Sequence, residues 1–132
     1  MKTSFRLLFF SISLILLDQI FKFSFSAISI CNKNIAWSLL ISPGIFYFLW
    51  IIIITILIYL FLKTEFYGQK IFLVLIFSGA ISNIIDRIRL GCVVDYIDLK
   101  FWPVFNLADV YISLGIVLLI IFNFKFKILN EF

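Results

Sequence analysis

Five aspartates (Asp18, Asp86, Asp95, Asp98 and Asp109), two glutamates and no histidine make up the acid–base inventory of this 132-residue chain. The lack of histidine excludes serine–histidine triads and histidine-bound metal sites, so any chemistry must come from Asp, Glu, Lys, Ser or Cys. Two carboxylates held close together cannot both ionise cheaply; one pKa rises and the pair shares a proton. A pair of this kind performs aspartic-protease chemistry, in which one carboxylate takes a proton from water while the other protonates a carbonyl oxygen. Asp18 stands four residues before Lys22, the favourable helical order for an ion pair, and Asp86 is expected to pair with Arg87 or Arg89. Asp109 has no basic residue within two helical turns and needs a partner from elsewhere in the chain. Spacing leaves Asp86, Asp95 and Asp98 equally open as that partner. A second role for Asp109, capping a helix after Pro103 and Asn106, is compatible with the first.

The elements that position these residues are membrane spans. With 64% hydrophobic residues, 14% charged residues and a mean hydropathy of +1.21, the composition fits no water-soluble globule. A helix needs about 20 apolar residues to cross the hydrocarbon, and four runs qualify, at approximately residues 5–22, 44–62, 70–88 and 107–126. The expected architecture is a single domain over residues 1–132: an all-α membrane protein of four transmembrane helices with a small extracytoplasmic β element. Phe23 to Asn32 alternates apolar and small polar residues and reads as a half-buried strand. Lys2 and Arg6 ahead of an apolar stretch mimic a signal peptide, but three further spans favour an anchor. Six basic residues (Lys2, Arg6, Lys63, Lys70, Lys125, Lys127) fall on the side of the termini, which is read as the inside. The net charge of +4 is scattered rather than clustered, so nucleic acid is not an expected partner. Cys31 and Cys92 are too few for a closed zinc site, and a disulfide between them is not favoured.

Threading the chain through four spans brings the unusual residues to one face. Asp18 ends the first span, Asn83 and Asp86 end the third, and Asn106 and Asp109 open the fourth; Asp95 and Asp98 lie in the loop between those two, and Asn32 in the other outer loop. Ionisable groups in or near hydrocarbon are costly unless paired or facing a wet cavity, which makes each a functional candidate. A rival to the carboxylate pair is a small proton- or ion-translocating protein using Asp18, Asp86 and Asp109 as a relay. Such a relay needs polar groups through the whole membrane depth, whereas the inner halves of all four spans read as apolar.

Four motifs occur in order: DQIFK (Asp18 to Lys22), NKNIAWSL (Asn32 to Leu39), SGAISNIIDRIRLGCVVDYIDL (Ser78 to Leu99) and FNLAD (Phe105 to Asp109). On these the chain resembles the lipoprotein signal peptidases, the signal peptidase II family, over almost its whole length. The resemblance implies an aspartic endopeptidase of the bacterial cytoplasmic membrane that cuts prolipoproteins before a diacylglyceryl-modified cysteine. It implies Asp95 and Asp109 as the catalytic pair, Asn32, Asn83, Arg87 and Asn106 as residues touching the substrate or the pair, and Asp18, Lys22 and Asp86 as support for the fold. No cofactor or metal is implied, and the expected partners are lipidated precursors and membrane lipids, with the enzyme a monomer.

The chain departs from the family's pattern in two places. Where the family has Gly-Gly-Ala-x-Gly-Asn, this sequence has Ser78, Gly79, Ala80, Ile81, Ser82 and Asn83, a small-for-small replacement that should preserve close helix packing. Where it has Asn-x-Gly-Ala-Ala-Phe, this sequence has Asn32, Lys33, Asn34, Ile35, Ala36 and Trp37; Asn34 can supply the left-handed turn of a glycine, while Ile35 and Trp37 should alter the pocket's shape.

Overall fold

The computed structural model describes residues 2–33 and 42–131, and side chains over residues 3–33 and 42–125. The expectations for Asn34, Ile35 and Trp37 lie outside the described residues. In chain order the elements are α1 (Lys2–Ser24), β1 (Ile30–Asn32), α2 (Pro43–Lys63), α3 (Tyr67–Leu90), β2 (Val93–Asp95) and α4 (Leu107–Glu131). Each of the four apolar runs lies in one helix, and all four helices are long and apolar enough to cross a membrane. Their outward faces carry exposed Leu, Ile and Phe, as hydrocarbon rather than water would require.

The bundle is built around α3. Half of its apolar stretch is buried, against 6% of that of α2. Its closest partner is α4, followed by α1, with α2 lightly packed at the periphery through Leu57, Leu73 and Ile76. Small residues set the α3–α4 distance. A Cβ on Gly79 would lie 2.4 Å from the Ala108 carbonyl oxygen, and one on Gly115 would lie 2.7 Å from that of Phe72. With little hydrophobic drive between helices in lipid, such close backbone approach carries much of the association. The helix α3 stops at Gly91, whose left-handed φ of 73° a residue with a Cβ rarely adopts; its N–H closes the last turn on the Arg87 carbonyl.

The β element is smaller than the alternation in Phe23 to Asn32 suggested. The helix α1 continues to Ser24, a turn follows, and only Ile30–Asn32 is strand, paired antiparallel with β2 (Ile30 with Asp95, Cys31 with Val94, Asn32 with Val93). Phe25 stacks at 5.2 Å on Tyr96, so the polar residues of that stretch serve a turn that docks α1 onto the chain just after β2. The same pairing corrects the reading of the cysteines. Ladder register brings the Cα atoms of Cys31 and Cys92 to 5.5 Å, and the two form a disulfide. Beyond β2 the chain folds back on itself at the Ile97–Phe105 bridge, which returns it to the start of α4.

Candidate active site

The ends of α1 and α3, the start of α4 and strand β2 meet at one end of the bundle. A buried charged cluster forms its floor. The Lys22 ammonium lies 2.8 Å from Asp18 Oδ2, as the i,i+4 spacing anticipated, and 2.7 Å from Asp86 Oδ2. That second contact corrects the expected pairing of Asp86 with Arg87 or Arg89: Lys22 reaches it across the α1–α3 interface, while the Arg87 guanidinium stacks 4.6 Å over the Phe46 ring of α2. Asp18, with no exposed surface, also accepts from Ser82 Oγ (2.6 Å) and from the Ala108 backbone N–H (2.9 Å), so a carboxylate of α1 caps the first turn of α4. Asp86 accepts from Gln19 Nε2 (2.9 Å) and from the Val94 N–H (3.3 Å), which ties β2 to α3.

Above this floor stands a network of asparagines. Asn83 Nδ2 donates to Asp109 Oδ1 (2.8 Å), and its Oδ1 accepts from Lys22 Nζ (2.9 Å) and Asn106 Nδ2 (3.1 Å). Asn106 Nδ2 also donates to Asp95 Oδ1 (2.7 Å), and Asn32 Nδ2 from β1 donates to Asp95 Oδ2 (2.8 Å). Asp95 thus shares a hydrogen-bonding neighbour with Asp109. Of the other two carboxylates that spacing left open, Asp86 is held by Lys22 and Gln19, and Asp98 pairs with Lys100 on the surface, where the lysine's N–H groups hold it below the usual carboxylate range. Burial pushes the Asp95 carboxyl up to about 6; the Asn32 bond opposes this and the negative charge of Asp109 adds to it.

Asp109 is the third residue of α4 and Asn106 is its N-cap. Asn106 Oδ1 accepts from the Asp109 N–H (2.9 Å) while Asp109 Oδ2 accepts from the Asn106 N–H (3.2 Å), a reciprocal capping arrangement. The cap expected of Asp109 therefore belongs to Asn106, with Asp109 as the returning partner. Beside Asp109 lies an open groove of about 460 Å³, otherwise lined by Phe101, Trp102, Phe105, Val110, Leu114 and neighbouring residues.

Ser78 and Ser82 contribute more than small size, and Ser11 and Gln19 join the buried polar contacts. In the fold Gln19 Nε2 donates to Ser82 Oγ (2.9 Å) as well as to Asp86, and the hydroxyls of Ser11 and Ser78 lie 2.8 Å apart and buried. For Ser78 and Ser82 the available signal is their spacing, four residues apart on one face of an apolar helix; Ser11 and Gln19 are single polar residues within an apolar run.

Fold and site together define a multi-pass membrane protein that holds two carboxylates on a shared asparagine at one end of a helix bundle. Residues 10–125 match the family model described as signal peptidase (SPase) II, and the chain belongs to that family. It is 41% identical over 95 residues to a lipoprotein signal peptidase of Halothermothrix orenii, covering 69% of this chain and 64% of that one. Identities are 42% over 92 residues with one of Borreliella burgdorferi (61% and 54% covered) and 40% over 97 residues with one of Staphylococcus aureus (68% and 60%). These matches thus span less than two thirds of the relatives' own lengths. Two solved structures, each described as a bacterial membrane enzyme, superpose with TM-scores of 0.82 (29% identity, 91% of this chain and 88% of the other) and 0.77 (27%, 88% and 90%). Family and helices make this a multi-pass bacterial membrane protein.

Proposed function

We propose that this chain is an aspartic endopeptidase that removes the signal peptide from diacylglyceryl-modified prolipoproteins, cutting on the N-terminal side of the lipidated cysteine. The observation that carries the reading is the single asparagine, Asn106, bonded at once to Asp95 and Asp109. It holds the two carboxylates on one frame, where sharing one proton is cheaper than ionising both. The ionised member takes a proton from water, which attacks the scissile carbonyl carbon as the protonated member gives its proton to the carbonyl oxygen. Collapse of the tetrahedral intermediate breaks the C–N bond, and the proton taken from water passes to the leaving amine. Asn32 and Asn83 orient the carboxylates. Arg87 supplies positive charge whose field reaches Asp95 and Asp109.

The setting suits a lipidated substrate. The site lies at the helix ends, and the apolar groove beside Asp109 offers a place for hydrocarbon. In this reading the protein sits in the cytoplasmic membrane with both termini inside and the site near the outer leaflet, where the precursor arrives by lateral diffusion. On the opposite side of the Ser11–Ser78 contact the cavity between α1, α2 and α3 is lined mainly by Leu and other apolar side chains, which favours hydrolysis at one surface over a relay across the membrane.

The test is a gel-mobility assay with the purified full chain in lipid and a diacylglyceryl-modified precursor. Cleavage by the parent, with equal loss in Asp95→Asn and Asp109→Asn variants that stay folded, is the expected result. Cleavage by either variant at the parent rate would overturn the two-aspartate assignment. Failure of the parent on a well-lipidated precursor would overturn the peptidase reading.

A further inference from the structure

We propose that Lys22 is a positioning residue for the carboxylate pair, acting through the side-chain amide of Asn83. The inference rests on the assignment of Asp109 to that pair. An ammonium has three protons, and Lys22, 3% exposed, lies within bonding distance of three acceptors: Asp18 Oδ2 at 2.8 Å, Asp86 Oδ2 at 2.7 Å and Asn83 Oδ1 at 2.9 Å. The first two contacts neutralise buried carboxylates, and support for the fold accounts for them. The third joins this charged cluster to the asparagine that donates to Asp109.

A side-chain amide has two unlike ends, and its neighbours decide which way it faces. The Oδ1 end of Asn83 receives a proton from Lys22 and one from Asn106 Nδ2, which fills both of its lone pairs. Reversal would set the Asn83 NH2 against the ammonium and the Asn106 NH2, and would turn its oxygen toward the Asp109 carboxylate. Asn106 cannot turn to relieve this, because its own Oδ1 is occupied by the Asp109 N–H that it caps. The Lys22 bond is the charge-assisted one of the two on Asn83 Oδ1 and the stronger determinant. A buried cation of α1 that does not touch the reacting atoms thereby keeps a donor, rather than an acceptor, aimed at Asp109. A lysine that only balanced charge would need no contact with Asn83.

The experiment uses the full-length protein in lipid. Lys22→Met is combined with Asp86→Asn so that one of the two carboxylates loses its charge along with the ammonium; Asp86→Asn alone is the folding control, and Asn83→Ala marks complete loss of the amide. Rates against pH are measured on a lipidated precursor, and the side-chain amide resonance of Asn83 is followed in protein labelled with 15N-asparagine, assigned by its disappearance in Asn83→Ala. The Lys22→Met/Asp86→Asn variant is expected to lose on the order of 10²-fold in kcat relative to Asp86→Asn, with KM little changed. Adding Asn83→Ala should then cost little more, because both changes remove one interaction. The Asn83 resonance should titrate with the carboxylates in the Asp86→Asn control and shift or broaden once Lys22 is gone. Losses in kcat that multiply independently, or an Asn83 resonance unaffected by loss of Lys22, would overturn the proposal. The resonance decides the matter even if the parent proves inactive on the precursor, so failure of the peptidase reading is told apart from failure of this one.

Discussion

Asn106 and Asp109 hold each other through two reciprocal hydrogen bonds, Asp109 N–H to Asn106 Oδ1 at 2.9 Å and Asn106 N–H to Asp109 Oδ2 at 3.2 Å. The arrangement that starts α4 is thus the one that fixes Asp109. The Asn106 amide nitrogen is left over to reach Asp95 at 2.7 Å. Helix capping and carboxylate pairing are normally separate demands on a sequence; here one Asn-x-x-Asp spacing meets both.

The two roles of Asn106 separate on substitution. Asn106→Ser retains an oxygen for the Asp109 N–H but has no amide for Asp95 or for Asn83 Oδ1. Its melting temperature in detergent should fall less than that of Asn106→Ala, while kcat on a lipidated precursor falls on the order of 10²-fold. Asn106→Ala loses the cap as well and should melt lower than Asn106→Ser, by the equivalent of about 1 kcal/mol. A fully active Asn106→Ser would show that the bond to Asp95 is dispensable.

The ionisation of Asp95 predicts a pH dependence of definite sign. Its carboxyl is raised from 3.8 to about 6, chiefly by burial. The folded state therefore binds this proton more tightly than the unfolded chain does. The contribution is fully present below pH 3.8 and is lost as pH rises through about 6. Subtracting the melting profile of Asp95→Asn from that of the parent should reveal this decline between pH 4 and 7. The Asn32 amide favours the ionised form, so Asn32→Ala should move the limb of kcat/KM near pH 6 to higher pH. A shift to lower pH would mean that Asn32 does not donate to Asp95 in the working enzyme.

The disulfide anchors the strand that carries Asn32. Cys31 precedes Asn32 and Cys92 precedes Val93, its ladder partner, so the covalent link sits beside the bond from Asn32 to Asp95. Cys31→Ser, Cys92→Ser and the double variant should behave alike, each lowering kcat several-fold and lowering the melting temperature, with a reductant reproducing the effect on the parent. A natural disulfide of this kind typically contributes 2–4 kcal/mol. If the single variants differ from one another, the cysteines act as thiols and not through the bond.

Hydropathy exposed the four helices because a span is a local property of some twenty residues. The Asp18–Lys22 pair was legible for the same reason, as both residues lie on one helix face a turn apart. Partners supplied by another element are not legible in local spacing. Asp86 has arginines one and three residues away yet pairs with Lys22, because the α1–α3 interface buries that lysine and leaves Arg87 to the Phe46 ring. Nothing in a spacing of 61 residues reveals the three-residue ladder beside which Cys31 and Cys92 join. The small size of Ser82 is legible in the sequence, but not that its hydroxyl lies 2.6 Å from Asp18 and also accepts from Gln19, which adds a polar contact to the buried cluster.

The contact between α3 and α4 gives the last prediction. Gly79 faces the first turn of α4, and a Cβ there would lie 2.4 Å from the Ala108 carbonyl oxygen and 2.7 Å from Ile112 Cγ1. Backbone cannot yield as a flexible side chain does, so Gly79→Ala must push α4 away from α3. Ala108 is bonded through its N–H to Asp18, and Asp109 follows it, so the displacement acts directly on the carboxylate frame. The expected loss is about 1–3 kcal/mol of stability, as for overpacking in a core, and on the order of 10²-fold in kcat. Gly44, at the start of α2, has nothing among the described residues within 4 Å of the same added atom, and Gly44→Ala should leave both quantities near the parent values. Measured side by side by thermal melting and precursor cleavage, the two substitutions separate the effect of an added methyl from that of its position. Equal behaviour of the two would mean that the α3–α4 contact does not govern the site.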